Sequence, residues 1–244
     1  MLGLTAEKYD ELVDIALENN ASAMHDFLRL LPPKCDINGI GIDGSTPVFH
    51  AANRGCYRTL FLLLDYGADK DKPDFNGMSP LIAAIINEHY ECAFLLLRRK
   101  ANTNVGMMYG VTCLHRAVDQ AIEHGRRLVV ELLRRGADVD KADFFHHTAL
   151  MRAATKGDMA TAMILIAAGA DPDITEPSFG ETAAQIAAYS EHHAVAEYLT
   201  HEGNWRRRKN LLMVYDSIAE VESDAKMYKV LQSRDMIGVI FSFL

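Results

Sequence analysis

The chain of 244 residues is 49% hydrophobic and 24% charged, a globular composition that excludes disorder, collagen and coiled coil as whole-chain descriptions. Its net charge of −8 disfavours general affinity for nucleic acid or anionic lipid, because phosphate binding depends on clustered Lys and Arg. The four cysteines, Cys35, Cys56, Cys92 and Cys113, form no CxxC pair, which favours a reduced intracellular setting over a zinc site.

The opening segment, MLGLTAEKYDELVDIALENN, places acids where a secretory signal would have an uninterrupted apolar stretch. No apolar run in the chain reaches the length of a membrane span. These features predict a soluble protein of the cytoplasm or the nucleus that does not bind membranes.

Residues 1–40 show the apolar spacing of helices. They lack a short segment, beginning with Thr or Ser, that recurs through the rest of the chain and is described below. Since the end units of a repeat array must present a polar outer face, we expect this segment to be a degenerate N-terminal capping repeat. The apolar residues of this segment are Leu12, Ile15, Ala16, Phe27, Leu28 and Leu31.

A short phrase then recurs every 33 to 36 residues along the chain. Its five copies are TPVFHAA from Thr46, SPLIAAI from Ser79, TCLHRAV from Thr112, TALMRAA from Thr148 and TAAQIAA from Thr182. Each copy is followed by an apolar run and then by a stop of small residues, as in LLLDYGAD. A fixed period of this length indicates stacked supersecondary units, none of which can bury its apolar face alone.

Each unit has the signals of a helix, a turn, a second helix and a loop. The Thr and Ser anchors can cap the start of the first helix, and the Ala pairs that follow let neighbouring first helices approach closely. Glycine readily adopts the positive φ of a tight turn, so we expect the first helix to end at Gly55, Gly125 and Gly157. By the same reasoning, we expect the second helix to end at Gly67, Gly136 and Gly169.

These units resemble the ankyrin repeat, whose pattern runs D-x-x-G-x-T-P-L-H-x-A-A-x-x-G and ends in L-L-x-x-G-A-D. The residues that match it are Asp74, Gly77, Pro80, Leu81 and Ala84 in one unit, and Thr112, Leu114, His115, Ala117, Leu132, Leu133, Gly136, Ala137 and Asp138 in the next. The departures are Phe49, Ile82 and Met151 in place of His, Cys113 in place of Pro, and His146 in place of Gly.

The resemblance implies an all-α solenoid of helix-turn-helix units with hairpin-like loops and helical caps at both ends. We place five repeats in residues 41–204, approximately at 41–73, 74–106, 107–142, 143–176 and 177–204. Residues 205–244 are then a helical C-terminal cap or tail.

The third repeat carries three additional residues, between Val118 and Gly125. One interpretation is a first helix longer by about one turn. The other is an extension that protrudes beside the binding face and presents Gln120, Glu123 and His124.

The C-terminal segment leaves its role open in the same way. Residues 236–244, MIGVIFSFL, are apolar enough to need a partner surface, so they either cover the last repeat or dock another protein. Ser242, Phe243 and Leu244 resemble a PDZ-domain ligand, and the docking alternative would make the chain a substrate-recruiting subunit of a larger complex. The basic run at 206–209 is interpreted as a solvated helix start, with a nuclear-localisation signal as the alternative.

The sequence contains no convergent constellation for catalysis, no metal-ligand spacing and no cofactor motif, so we predict a protein that is not an enzyme. The resemblance implies that His50 and His115 bond to nearby backbone. Cys113 is expected to act as a small buried hydrophobe. The opposing hypothesis is an active site assembled from His124, Cys113 and nearby acids.

The resemblance also implies that partners meet the loop tips and the exposed edge of the first helices. Tips are ordinarily polar, yet successive units of this chain place aromatic or Met side chains there, and such residues are enriched in interfaces. The predicted partner-binding residues are Phe75, Asn76, Met108, Tyr109, Asp119, Gln120, Phe144, Phe145, Thr155, Lys156, Phe179 and Tyr189. They predict a monomeric, non-catalytic adaptor, scaffold or regulator for a protein or peptide partner. Loops of the family can carry hydroxylated Asn, and the resemblance makes Asn104 and Asn38 the candidate positions for that modification.

Overall fold

The structure is a computed structural model that describes residues 4–32, 35–41, 43–120 and 123–201. The described residues contain twelve α-helices and no strand. In chain order these are α1 (Ala6–Leu17), α2 (Ala21–Leu30), α3 (Pro47–Asn53), α4 (Tyr57–Tyr66), α5 (Pro80–Ile86), α6 (Tyr90–Arg98), α7 (Cys113–Asp119), α8 (Glu123–Arg134), α9 (Ala149–Thr155), α10 (Met159–Ala167), α11 (Ala183–Tyr189) and α12 (His193–His201).

The chain divides into two compact units, Met1–Arg116 and Ala117–Leu244. In the first unit, α3 packs between α1 and α5, and α4 packs between α2 and α6. In the second unit, α9 packs on α11, and α10 contacts both α8 and α12. Each unit therefore has one layer of first helices and one layer of second helices, as the all-α repeat architecture requires.

The first helices begin where the repeat phrase predicts. The anchor hydroxyls of Thr46, Ser79, Thr148 and Thr182 each accept a hydrogen bond from the backbone N–H three residues later, at 3.1 to 3.4 Å. Such a cap satisfies one of the backbone donors that a helix start leaves unpaired. The Ala pairs of α3, α5 and α9 are fully buried, which confirms their role in close helix packing.

The turns use the left-handed conformation at fixed places. Gly55 and Gly157 end the first helices at φ values of 72° and 66°, and Gly67, Gly136 and Gly169 follow the second helices with positive φ. These predictions are confirmed. At equivalent places, Glu88 and Glu191 adopt positive φ in the turns after α5 and α11, although side chains with a Cβ atom occupy that region at a cost.

The predicted turn at Gly125 is wrong, because Gly125 lies inside α8. Helix α7 has seven residues, like α3, α5, α9 and α11, and α8 has twelve where α6 and α10 have nine. The three additional residues of the third repeat therefore lengthen the second helix, not the first. A Cβ atom at position 125 would lie 2.6 Å from the Gln120 carbonyl oxygen, so a close backbone approach accounts for this glycine.

The loops between repeats are joined by a series of side-chain to backbone hydrogen bonds. In the first unit, Asn38 Oδ1 accepts from the Asp69 N–H at 2.7 Å, and Asp71 Oδ1 accepts from the Asn102 N–H at 2.7 Å. In the second unit, Asp140 Oδ1 accepts from the Asp171 N–H at 2.9 Å. Each of these three loops thus supplies a carboxylate or amide oxygen to the loop of the following repeat.

The His146→Gly substitution should raise the free energy of unfolding by about 0.5 to 1 kcal/mol. His146 adopts φ 60° where Gly77 and Gly180 stand in other repeats, and glycine relieves the crowding of Cβ in that conformation. Urea unfolding followed by circular dichroism measures the change. If the variant is less stable than the wild type, the contacts of the His146 imidazole stabilise the fold by more than the backbone strain destabilises it.

Residues 205–244, and with them the predicted C-terminal cap, the basic run and the 236–244 segment, lie outside the described residues. Within the described ranges, no helix is both long enough and apolar enough to cross a membrane.

Candidate protein-binding surface

Four of the loop tips, at Asp43, Asp74, Asp143 and Glu176, are built around an acidic side chain that accepts hydrogen bonds from its own turn. Asp74 Oδ1 accepts from the N–H groups of Asn76 and Met78 at 2.9 and 2.8 Å. Asp143 Oδ1 accepts from Phe145 and His147, both at 2.9 Å. Such turns hold the backbone at the tip in one conformation while the side chains between the bonds point outward.

The aromatic and Met residues of the tips are exposed to solvent. We call the following six residues the apolar tip residues: Phe75, Met108, Tyr109, Phe144, Phe145 and Phe179. Their exposed fractions run from 48% at Met108 to 84% at Phe179. They are therefore not buried core residues that happen to lie at loop positions.

In the first unit, neighbouring tips are bonded to each other through the backbone. The Phe75 N–H donates to the Asp43 carbonyl at 3.1 Å, and the Met108 N–H donates to the carbonyl of Asn76, also at 3.1 Å. The Phe75 ring lies over Gly44, where a Cβ atom would approach it to 2.6 Å. These contacts fix the spacing of the tips and still leave Phe75 71% exposed.

In the second unit, Phe144 and Phe145 occupy the turn that Asp143 organises. The Phe145 ring lies beside the imidazole of His147, with ring centroids 6.4 Å apart. At the next tip Glu176 replaces the aspartate, and its carboxylate accepts from the N–H groups of Ser178 and Phe179 at 2.7 and 2.6 Å. The sequence pattern did not single out Glu176, because the additional residue in this tip moves the acid out of register.

The edge residues of the first helices divide into two kinds. Thr155 and Tyr189 are exposed, as a binding residue requires, and Gln120 is half-buried at the end of α7. Asp119 and Lys156 are engaged within the unit, although Lys156 is also exposed. Asp119 Oδ2 accepts from Arg152 Nη1 at 2.7 Å, and Lys156 Nζ donates to the backbone carbonyls of Val118 and Asp119.

Arg152 forms the charged centre of this edge, although it is not among the residues predicted from the sequence. Its Nη2 donates to Asp143 Oδ2 at 2.7 Å while its Nη1 donates to Asp119, so one guanidinium joins two repeats. Asp119 and Lys156 therefore position each other and Arg152. The sequence did contain a sign of this ion pair. Asp143 precedes the anchor Thr148 by the same interval as the pattern residue Asp74 precedes the anchor Ser79.

The Asp143 carboxylate is stabilised in its charged form. Burial by itself would raise the pKa of Asp143, but the hydrogen bonds from Arg152 and from the N–H groups of His147 and Phe145 outweigh it. They hold the pKa below the usual 3.8. The carboxylate is therefore charged at neutral pH, and its side chain is only 1% exposed.

A groove of about 380 Å³ lies between the fourth and fifth repeats of the second unit. Its apolar lining includes Met151, Phe179 and Ile186, and its charged lining includes Arg152, Glu176 and Glu181. A volume of this size lies within the range of ligand pockets in proteins. The groove brings together Thr155 and Phe179 from the predicted residues.

The thiol of the opposing catalytic hypothesis is not activated as a nucleophile. Cys113 is fully buried, and burial raises the pKa of its thiol to about 12, which leaves almost no thiolate at neutral pH. His115 holds the helix start, where its Nδ1 accepts from the Thr112 N–H at 3.1 Å. His50 lies one position later than the pattern's His, and in the last described repeat Gln185 takes that role by accepting from the Thr182 N–H at 2.9 Å.

The described residues contain no group of three or more His, Cys, Asp or Glu side chains arranged to hold a metal ion.

Comparison with protein families places these repeats in a known class. The family model described as ankyrin repeats (3 copies) matches residues 12–107, 73–143 and 114–209, which together cover most of the chain. The chain belongs to the ankyrin-repeat family.

Curated relatives share part of this chain. It is 36% identical to the B-cell lymphoma 3 protein homolog of Mus musculus over 122 residues, 50% of this chain and 27% of that protein. It is 29% identical to the potassium channel AKT2/3 of Arabidopsis thaliana over 162 residues, 66% of this chain and 19% of the channel. The chain thus spans about a quarter or less of the length of these relatives.

Among solved structures, one similar chain belongs to the complex of the predatory endopeptidase Bd0816 from Bdellovibrio bacteriovorus with immunity protein Bd3460. The TM-score is 0.67 at 24% identity, and the match covers 78% of this chain and 96% of that one. At this identity the likeness shows the fold alone.

Proposed function

We propose that the protein is a non-catalytic adaptor, scaffold or regulator that binds a protein partner through its apolar tip residues and the exposed edge of its first helices. Ankyrin repeats mediate protein–protein interaction, and the family is typically non-catalytic. The observation that carries the proposal is the exposure of the six apolar tip residues on turns that hydrogen bonds hold in place.

The physical argument rests on preorganisation. Exposed Phe, Tyr and Met side chains supply the buried contact area that dominates interface energies. Because the turns at Asp74 and Asp143 already fix the backbone, binding orders few additional torsions, and more of the contact energy appears as affinity.

We further propose that the chain works as a monomer in the cytoplasm or the nucleus. Free thiols at all four cysteines are consistent with a reducing compartment. Burial raises the pKa of Cys92 to about 12, so this thiol is protected from oxidation.

The Phe144→Glu, Phe145→Glu double variant should lose capture of its partner from a native cell lysate, measured by quantitative mass spectrometry beside the wild type. Phe144 is 75% exposed and Phe145 61%, so their replacement removes interface area and little core. The melting temperature should change by less than about 3 °C.

Leu30→Glu is the control, because Leu30 is 84% exposed on α2 and belongs to no loop tip. The control should retain the partner that the double variant loses. Equal retention by all three proteins would contradict a tip-centred interface, and a large fall in the melting temperature of the double variant would assign the two rings a structural role.

A further inference from the structure

We propose that the groove between the fourth and fifth repeats binds a peptide segment in which Arg or Lys lies next to an apolar residue. This inference rests on the proposed function and specifies the chemistry of the partner at one part of that surface. It follows from the charges and the apolar walls of the groove.

The cation of the groove is already neutralised. Arg152 donates its two terminal nitrogens to Asp119 and Asp143, each at 2.7 Å. Two carboxylates beside one guanidinium leave this cluster with no excess positive charge to attract a third carboxylate. An acidic partner would therefore find no available positive charge at Arg152, and the groove does not select acidic peptides.

The acids of the groove are not neutralised in the same way. The Glu176 carboxylate is held by N–H groups of its own turn, which leave its negative charge in place. The Glu181 carboxylate has no ion pair or side-chain hydrogen bond with any part of the chain that the structure describes. The lining thus carries two negative charges: the one on Glu176 is buried, and the Glu181 carboxylate can receive a cation directly.

The apolar lining provides the second part of the specificity. The Phe179 ring is 84% exposed at the mouth, and an Arg or Lys that reaches Glu181 can also lie over this ring. Met151 forms an apolar floor and the half-buried Ile186 an apolar wall, where a Leu, Met or Phe of the peptide would be buried. A peptide with one basic residue next to one apolar residue would therefore make both the charged contact and the apolar contact.

The test begins with selection from a display library of random dodecapeptides on the full-length chain, followed by fluorescence titration of the enriched peptides. We expect enrichment of Arg or Lys adjacent to Leu, Met, Ile or Phe. Affinity should fall as salt rises, since the Glu181 contact is exposed to solvent.

Charge reversal identifies the site. Glu181→Lys should weaken binding of the selected peptides about tenfold, because repulsion replaces attraction at the mouth of the groove. Phe179→Ala should weaken binding several-fold. Glu197→Lys makes the same charge change on α12 outside the groove and should leave the affinity within about twofold.

Two results would overturn the inference: enrichment of acidic or uncharged peptides, or equal affinity of wild type and Glu181→Lys for the enriched ones. If Phe144→Glu, Phe145→Glu loses a lysate partner while Glu181→Lys retains both partner and peptides, the interface at the tips stands and the groove proposal fails. If neither the tip variant nor the groove variant changes any binding, both proposals fail.

Discussion

Gly157→Ala should lower the free energy of unfolding by about 3 kcal/mol, the sum of backbone strain and a steric clash. Gly157 adopts φ 66°, a region that L side chains occupy at a cost. A Cβ atom there would also lie 2.5 Å from the His192 ring, whose Nε2 lies 3.1 Å from the Thr155 carbonyl oxygen. Urea unfolding followed by circular dichroism measures the loss.

Gly180→Ala is the control that separates the two causes. Gly180 has φ 69°, nearly the same backbone conformation, but a Cβ atom there would meet nothing within 4 Å beyond its chain neighbours. This variant should lose only about 1 kcal/mol. Equal losses at the two positions would show that the His192 ring moves aside freely and that the clash costs nothing.

Asp143→Ala should lower the free energy of unfolding by about 3 kcal/mol, because it removes the partner of a guanidinium and of two backbone donors. The lost bonds are those from Arg152, Phe145 and His147. Asp74→Ala removes the corresponding bonds of a turn without an arginine and should cost about 1 kcal/mol.

The pH dependence of stability provides a second measure of Asp143. Because its folded pKa lies below the usual 3.8, its contribution is complete above that pH and is lost as pH falls through the folded pKa. The stability difference between wild type and Asp143→Ala should therefore shrink below about pH 4. A difference that stays constant down to about pH 2 would contradict a role for the charged carboxylate.

The repeat period, the helix starts and most turns followed from the sequence because local chemistry determines them. A hydroxyl at Thr46 caps whatever helix begins after it, and glycine at Gly67 adopts positive φ at low cost. Exposure of the tips was also predictable, since residues such as Phe144 lie between turn signals. The role of these residues in binding stays a prediction.

What the sequence did not reveal involves contacts that no local pattern states. The sequence around Gly125 predicts the end of a helix. In the structure, a glycine is needed there because the backbone passes close to the Gln120 carbonyl oxygen. Asp119 and Lys156 have the positions of available edge residues, but Arg152, 33 residues from Asp119, engages that carboxylate. Which of several nearby charges will pair depends on how the repeats stack.

The hydrogen bonds between successive loops give the chain a direction. Asn38 and Asp71 accept from backbone donors of the repeat that follows each of them, and Asp140 does the same in the second unit. A repeat that opens thus removes a hydrogen-bond acceptor from its C-terminal neighbour and a hydrogen-bond donor from its N-terminal neighbour. Local damage in one of these loops therefore weakens the loops of adjacent repeats within the same unit.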